Sequence, residues 1–504
     1  MTTAATETER KYEAPAGTAA PRLAGLPGVA GTSGPDEQLL EADYFDTADL
    51  RLLRNGITLR RRSGGGDPGW HLKLPAGKGT RREIRLPLGR GRQVPRQLAG
   101  LVRAYTRGAQ LTPVARISTR RQLLTLLDKG GGSLAEIAAD EISAQSLGAE
   151  TAISTWGEVE LELTGGGPRL LKAADAQLRR SGLRPSARSA KLERALAIRL
   201  PARDGGQAAP DGSAGAAVLA YLRQQTAAMK AQDAMVRRDE PDSVHQMRVA
   251  SRRLRSTFQS FGVIIPRSAS GPVIAELKWL AGVLGEARDA EVLAARLRRG
   301  VQEIPAELVL GPAEARIQAH FARLSGAAGR QVREALDSPR YLALLDTLDQ
   351  LIRDPALTPE AARPAGEILP AAARRAYRRT ARRLRRAEQA PAGQPRETAY
   401  HEARKAAKRA RYAGEVLSPV LGRPARGFAR QMKRIQSVLG DHQDAVVARG
   451  VDRELGISAF QAGENAFSFG LLYDREDQLA ARLQASARRI WKHRARPHFS
   501  QWAR

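Results

Sequence analysis

In the first two hundred residues, short stretches alternate polar and apolar positions: "ITLRRR" at 57–62, "WHLKL" at 70–74, "REIRLPL" at 82–88 and "EVELEL" at 158–163. A period of two puts successive side chains on opposite faces of a strand, so these stretches predict strands. Spans 92–107 and 168–181 carry helical spacing instead. Residues 201–215, "PARDGGQAAPDGSAG", hold no large apolar side chain and read as a flexible linker. Beyond them alternation gives way to Ala-, Leu- and Arg-rich helical spacing. The expected layout is a mostly β part with some helix over 1–200, a linker over 201–215 and an all-α part over 216–504.

The α part repeats itself. "HQMRVASRRLR" begins at His245 and "HEARKAAKRAR" at His401. Further on, "ELKWLAGVLGEARDAEV" at 276–292 aligns with "QMKRIQSVLGDHQDAVV" at 431–447. That alignment pairs Lys278 with Lys433, Gly285 with Gly440 and Asp289 with Asp444. Two motifs in the same order at nearly the same spacing argue for duplicated halves, about 216–360 and 361–504. Each half has room for about four helices. His245, Arg248, Arg252 and Arg255 are spaced 3, 4 and 3, as are His401, Arg404, Lys408 and Arg411, which stacks each set on one helix face. Arg375, Arg378, Arg382 and Arg385 form another such stripe. His442 has Ala287 as its counterpart and is given no shared role.

Charge gives these stripes a meaning. Lys and Arg number 82 against 53 Asp and Glu, a net charge of +29. That excess repels itself and calls for an anionic partner: nucleic acid, an anionic membrane or a polyphosphorylated molecule. Guanidinium forks match phosphate oxygens bidentately, and Lys adds a mobile point charge. There are no cysteines, which excludes disulfides, zinc–thiolate sites and cysteine nucleophiles. The N-terminal "MTTAATETERKYEAP" lacks the apolar core of a signal peptide, and no run reaches membrane-spanning length. A cytoplasmic location is expected.

With "VHQMRVASRRLRSTF", "LKWLAGVLGEARDAEV", "YHEARKAAKRARYAGE" and "MKRIQSVLGDHQDAVV" in view, residues about 216–504 resemble the CHAD family, the conserved histidine α-helical domain. The resemblance implies two pseudo-symmetric four-helix bundles whose basic central surface binds inorganic polyphosphate. It maps that role onto His245, Arg248, Arg252, Arg255, Lys278, His401, Arg404, Lys405, Lys408, Arg411 and Lys433. Lys408 stands where the first half has Arg252, keeping charge and losing the fork.

The β part poses a separate question. "ETERKY" places Glu7, Glu9 and Lys11 at alternate positions, and "VELEL" does the same with Glu160 and Glu162. On strands these share a face, and carboxylates gathered that closely repel unless cations sit between them. Hard oxygen ligands suit Mg2+ or Mn2+. Basic positions lie between: Arg60, Arg62, Lys73, Arg82, Arg116, Arg120 and Lys191. A phosphate chain needs cations along its length and charge neutralisation at its end.

Residues 1–200 resemble the CYTH family, the triphosphate tunnel metalloenzymes, through "ETERKY", "YFDTADLRLLRNGITLRRR", "GWHLKLP", "VARISTRRQLL", "WGEVELEL" and "SAKLERAL". The resemblance implies an eight-stranded antiparallel β tunnel with flanking helices, and divalent-metal-dependent triphosphate hydrolysis or, in some members, adenylyl cyclisation. It assigns catalysis to Glu7, Glu9, Glu160 and Glu162, and metal binding to these four with Asp140. It places Lys11, Arg60, Arg62, Lys73, Arg82, Arg116, Arg120 and Lys191 on substrate phosphates, with Arg121 an equal contender for the Arg120 slot. Two departures stand out: Ala139 beside Asp140, where relatives carry two adjacent acids, and Thr8 between the first two glutamates.

The expected function is inorganic triphosphate or short-polyphosphate hydrolysis in the tunnel, coupled to polyphosphate binding by the helices. The alternatives are a non-catalytic polyphosphate adaptor with an inert tunnel, and a nucleic-acid-binding protein. Aromatic residues amount to only 5% and no helix-turn-helix or zinc signature is present, which weighs against nucleic acid.

Overall fold

The structure is a computed structural model that describes residues 3–77, 80–148, 151–186, 190–199 and 209–494; the side chains of residues 3–7, 493 and 494 fall outside the description. It divides into two units, Met1–Asp204 and Gly205–Arg504.

The first unit is built on eight long strands: β1 (Thr3–Ala14), β2 (Gly31–Asp46), β3 (Thr58–Ser63), β4 (Gly69–Gly77), β5 (Thr80–Leu86), β6 (Thr112–Leu127), β7 (Ser133–Ser146) and β8 (Ile153–Leu163). They pair antiparallel in the order β5-β4-β3-β2-β6-β7-β8-β1, and β1 pairs again with β5, which closes a barrel and removes both edges. A two-residue strand, β9 (Arg184–Pro185), adds to β1. Short helices α1 (Arg51–Arg54), α2 (Arg96–Leu101) and α3 (Arg103–Thr106) join the strands, and α4 (Pro168–Arg180) and α5 (Lys191–Ala195) follow β8.

The barrel is apolar outside and charged inside. Leu170, Leu171, Ala174 and Leu178 of α4 pack on the outward-facing Leu124, Leu126, Ile137, Val159 and Leu161. The alternate positions on the same strands therefore face the lumen. At one end, Leu192 and Leu196 of the α5 segment pack with Ala42, Tyr44, Ile117, Ile142, Ala144 and Trp156, an apolar stopper that brings Lys191 to the lumen. Gly157 lets β8 approach the chain after β1: a Cβ there would lie 2.2 Å from the Pro15 carbonyl oxygen.

The second unit is helical: α6 (Ala214–Val236), α7 (Ser243–Ser260), α8 (Arg267–Gln302), α9 (Ala313–Asp337), α10 (Pro339–Arg353), α11 (Ala365–Ile368), α12 (Pro370–Gln389), α13 (Gln394–Leu421), α14 (Arg423–Gln461) and α15 (Phe467–Arg494). The repeated motifs fall on α7 and α13, then on α8 and α14. The end of the expected linker is ordered: Ala209 is buried and Ser213 accepts a hydrogen bond from the Ala216 amide, capping α6. Residues 201–208 lie outside the described residues. Small side chains there permit close burial as readily as flexibility, so composition alone misread 209–215.

One core is shared between the halves. Ala290, Ala294 and Leu297 of α8 and Ile317 and Phe321 of α9 pack against Ala448, Leu455 and Ala459 of α14 and Phe469 and Leu472 of α15. A second core joins α12, α13, α14 and α15 through Leu384, Tyr400, Ile435, Leu439 and Ala487.

Candidate functional site

The barrel lumen encloses a cavity of about 410 Å³. Register explains its charge layout. Glu9 lies opposite Glu162 on β8, and Glu162 lies opposite Glu136 on β7, so three inward carboxylates form a row across three neighbouring strands. Strands stand about 4.8 Å apart, so these like charges favour a cation between them. Cations line β3 to β5: Arg60 and Arg62 on β3, Lys73 on β4, and Arg81 and Arg85 on β5, which neighbours β1 and brings Arg81 to 3.9 Å from Glu9.

Between the walls sits a compensated cluster. Glu160 accepts from Lys11, from Lys191 at 2.6 Å and from Arg121 at 2.6 Å. Arg121 also forks onto Asp140 at 2.7 and 2.8 Å, and Lys191 reaches Asp140 at 2.9 Å. Burial opposes ionisation of Glu160, yet Lys11, Lys191 and Arg121 hold its carboxyl well below the usual range. The same pairing overrides burial at Lys191 and holds its ammonium well above the ordinary value, chiefly through Asp140, Glu158 and Glu160. Glu158, 3.4 Å from Lys191 and 3.5 Å from Lys11, is pushed up by burial.

The cationic wall is less balanced. The buried Nε atoms of Arg60 and Arg62 have no hydrogen-bond partner. Burial, then the neighbouring Arg60 and Arg121, push the Arg62 guanidinium down to about 9. Burial likewise lowers His71 to about 4; its Nδ1 lies 2.9 Å from the Glu83 carboxylate and its Nε2 3.0 Å from the Asp67 carbonyl oxygen. The open Nε donors of Arg60 and Arg62 suit an anion with several oxygens, while elsewhere on the wall Arg62 and Arg85 pair with Asp67, and Arg85 and Lys73 with Glu83.

Of the sequence-predicted positions, Glu9, Lys11, Arg60, Arg62, Lys73, Glu160, Glu162 and Lys191 line the lumen, and Asp140 is buried beside it. The Glu7 side chain lies outside the described residues; its backbone pairs with Arg81. Three cationic positions need correction. Arg82 shares the outward face of Ile84, and Arg81 and Arg85 face inward instead. Arg116 is exposed and bonds Asp43 at 2.9 Å, and Arg120 is exposed on the same outer face. Arg121 takes the inward place. Glu136 and Glu158 are additions; each continues an alternation, Glu136-Ala138-Asp140 and Glu158-Glu160-Glu162, readable in the chain.

Among the described residues no group of three His, Asp or Glu side chains is already drawn together for a metal ion. The donor chemistry of the Glu9–Glu162–Glu136 row, all carboxylate oxygen facing one lumen, nevertheless fits a hard divalent cation. Glu160 and Asp140, expected among the ligands, are engaged by Arg121 and Lys191.

In the helical unit the two repeated stripes meet. Lys408 is surrounded by Arg404, Arg252 and Arg248, and burial together with these three pushes its ammonium down to about 6. Arg248 bonds Asp289 at 2.8 Å and Arg404 lies 3.7 Å from Asp444, the same pair in each repeat. A Cβ on Gly285 would lie 3.3 Å from the Arg248 guanidinium, and one on Gly440 would lie 3.6 Å from that of Arg404. Gly285 thus gives Arg248 of the preceding helix room, while a Cβ on Gly440 would meet Arg404 at an ordinary contact distance. Arg252 Nε donates to Tyr412 across the repeats at 3.2 Å, and Arg253 and Arg411 share Glu415. His401 hydrogen-bonds Gln443 at 2.6 Å, and burial lowers both His245 and His401. Arg255 and Arg411 are half-buried, and Lys278, Lys405 and Lys433 are exposed. His442 is buried, 3.0 Å from Gln484 and packed on Tyr400, a structural place.

Family models for the CYTH domain and the CHAD domain match residues 5–190 and 220–451. Two Mycobacterium tuberculosis proteins, MT2285 and Rv2226, are each 38% identical over 510 residues, covering 96% of both chains. Among solved structures, the CHAD domain of the plant Ricinus communis aligns with a TM-score of 0.46 and 27% identity, over 58% of this chain and 97% of that one. No helix among the described residues is long and apolar enough to cross a membrane.

Proposed function

Because the chain belongs to the family in which a CYTH domain is followed by a CHAD domain, we propose that its barrel hydrolyses inorganic triphosphate or short polyphosphate while its helical unit holds polyphosphate, in the cytoplasm and at polyphosphate granules. CYTH proteins are metal-dependent triphosphatases or cyclases, and hydrolysis is the narrower reading here. The observation that carries it is the make-up of the lumen, with the carboxylate row of Glu9, Glu162 and Glu136 on β1, β8 and β7, the cations Arg60, Arg62, Lys73 and Arg85 on β3 to β5, and Arg81 where the two groups adjoin.

Arg60, Arg62 and Lys73 would grip the oxygens of the chain, and Arg81 and Arg85 would align its end. Glu9, Glu136 and Glu162, joined by Glu7, would hold Mg2+ or Mn2+, which when bound draws negative charge off the terminal phosphoryl group. A lumen carboxylate orients the attacking water and takes its proton. Water oxygen bonds to the terminal phosphorus, the bridging P–O bond breaks, and orthophosphate leaves with the shortened chain. Lys11, Lys191 and Arg121 keep Glu160 and Asp140 ionised and fixed, which positions the strands that carry the row.

An inert tunnel in a polyphosphate adaptor is the second reading, favoured by the commitment of Glu160 and Asp140 to ion pairs. Phosphate release separates the two. Tripolyphosphate, ATP, thiamine triphosphate and long polyphosphate are each incubated with Mg2+ or Mn2+. We expect release from tripolyphosphate, and a loss of about 100–1000-fold in Glu162→Gln. No release from any substrate would select the adaptor, and full activity in Glu162→Gln would remove the metal role of the row.

A further inference from the structure

Helix α12 buries Ala372, Ala373, Ala376, Thr380, Leu384 and Ala387 and turns its other face to solvent. That face carries Arg375, Arg378, Arg379, Arg382 and Arg385. With Arg409 of α13 and the end of α7 at Gln259 and Ser260, it lines a groove of about 670 Å³.

Two observations set this groove apart. Several arginines elsewhere in the helical unit are matched to acids: Arg296 to Glu476 at 2.5 Å, Arg340 to Glu276 at 2.6 Å, Arg449 to Glu397 at 2.6 Å and Arg316 to Glu464. Among the described residues the five groove arginines of α12 form no ion pair or hydrogen bond. The second observation is Arg409. It is fixed by donating to Gln259 at 2.7 Å, and its guanidinium is lowered by burial and then by Arg379, Arg255 and Arg267. Glu402 opposes them but is bonded to Lys405 at 2.8 Å. Arg255 in turn is lowered by burial and by Arg252 and Arg248. Cationic side chains therefore follow one another from Arg248 through Arg252 and Arg255 to Arg409 and Arg379, with no break at the end of α7.

We infer that the α12 groove is a second binding segment for a linear phosphate chain, reached through Arg409 from the face where α7 and α13 meet. The inference rests on the polyphosphate reading of that face. Arg375 to Arg385 spans about 15 Å of helix at 1.5 Å per residue, so only a chain long enough to leave the first face reaches it. The groove makes affinity depend on chain length. A flexible single chain with charge on every unit fits this bent path of forks, while a stiff duplex does not follow it.

The test is equilibrium binding to full-length protein carrying Glu162→Gln, without divalent metal, so that no chain is cut. Tripolyphosphate and long-chain polyphosphate are compared on this background, on Arg378→Ala/Arg382→Ala/Arg385→Ala and on Arg248→Ala/Arg404→Ala. All three α12 positions are exposed, and circular dichroism checks that the helices are retained. For the α12 variant we expect about a tenfold or greater loss for the long chain and a shallower dependence of log affinity on log salt. Tripolyphosphate binding should stay within about twofold, set against the roughly tenfold steps of one charge-assisted contact. The Arg248/Arg404 variant should lose the long chain, while tripolyphosphate held by Arg60, Arg62 and Lys73 of the barrel stays bound. Equal long-chain affinity in the α12 variant and its parent would overturn the second segment and leave the first face standing. Single-stranded DNA displacing long polyphosphate at matched phosphate would overturn it in favour of nucleic acid. Absence of binding to either chain by the parent would overturn both readings.

Discussion

Inside the barrel, Lys11, Lys191 and Arg121 all converge on Glu160, and Asp140 takes a second share of two of them. On the helical face, Lys408 faces Arg404, Arg252 and Arg248 with Asp444 as the opposing charge. The Glu160 cluster neutralises its buried cations with its own acids. The helical face leaves them in excess and stores the mismatch as a lowered lysine. The difference follows from the work each region would do: a site that breaks a bond must hold charges of both signs in place before the substrate arrives, and a site that holds a chain gains most when its charges lack partners.

That contrast can be broken first in the barrel. Lys191→Met strips one cation from Asp140, Glu158 and Glu160 at a position only 9% exposed. A buried network that loses one partner is expected to lose about 3–5 kcal/mol, read as an earlier urea transition of the barrel. A change below about 1 kcal/mol would mean that the cluster is not mutually dependent. On the helical side the same kind of deletion should act oppositely. Arg404→Ala should weaken polyphosphate binding by about tenfold, the loss of one charge-assisted contact, and leave stability nearly unchanged, since it relieves repulsion on Lys408. A drop in stability matching that of Lys191→Met would erase the distinction between the regions.

The smallest effect is in pH. With its ammonium at about 6, Lys408 is mostly neutral above pH 7. A bound phosphate oxygen favours the charged form, so binding takes up a proton. Affinity should therefore rise as pH falls from about 8 to 6, by at most about tenfold per pH unit for one proton. Lys408→Met should flatten the profile, measured by titration calorimetry in buffers of different ionisation enthalpy. A profile equally steep in that variant would assign the proton elsewhere.

Much of this was readable in the chain. The 3-4-3 spacing put the arginines of α7 and α13 on equivalent faces, and the glutamate alternations placed Glu9, Glu160 and Glu162 at the lumen. The misplaced cations show where the reading failed. Arg82 shares a strand face with Ile84, and Arg116 and Arg120 share one with Leu124, which packs under α4. In this barrel the apolar face is the outer one, so each arginine in step with those residues points away from the site. Alternation identifies two faces without saying which is inside, and that choice is made by α4, far along the chain. Glu136 became legible only once β7 and β8 were in register. That Arg375, Arg378, Arg379, Arg382 and Arg385 form no ion pair among the described residues was invisible, because "RRAYRRTARRLRR" does not show whether acids of other helices will reach them.

The core that α8 and α9 share with α14 and α15 bears on how the duplicated part holds together. Each repeat lends half of a common apolar interior, so neither could be excised without baring Ala290, Leu297 and Phe321 or their counterparts Leu455 and Phe469 to water. An interior shared in this way predicts that the two copies melt together, so that loss of order in either would be felt by the other.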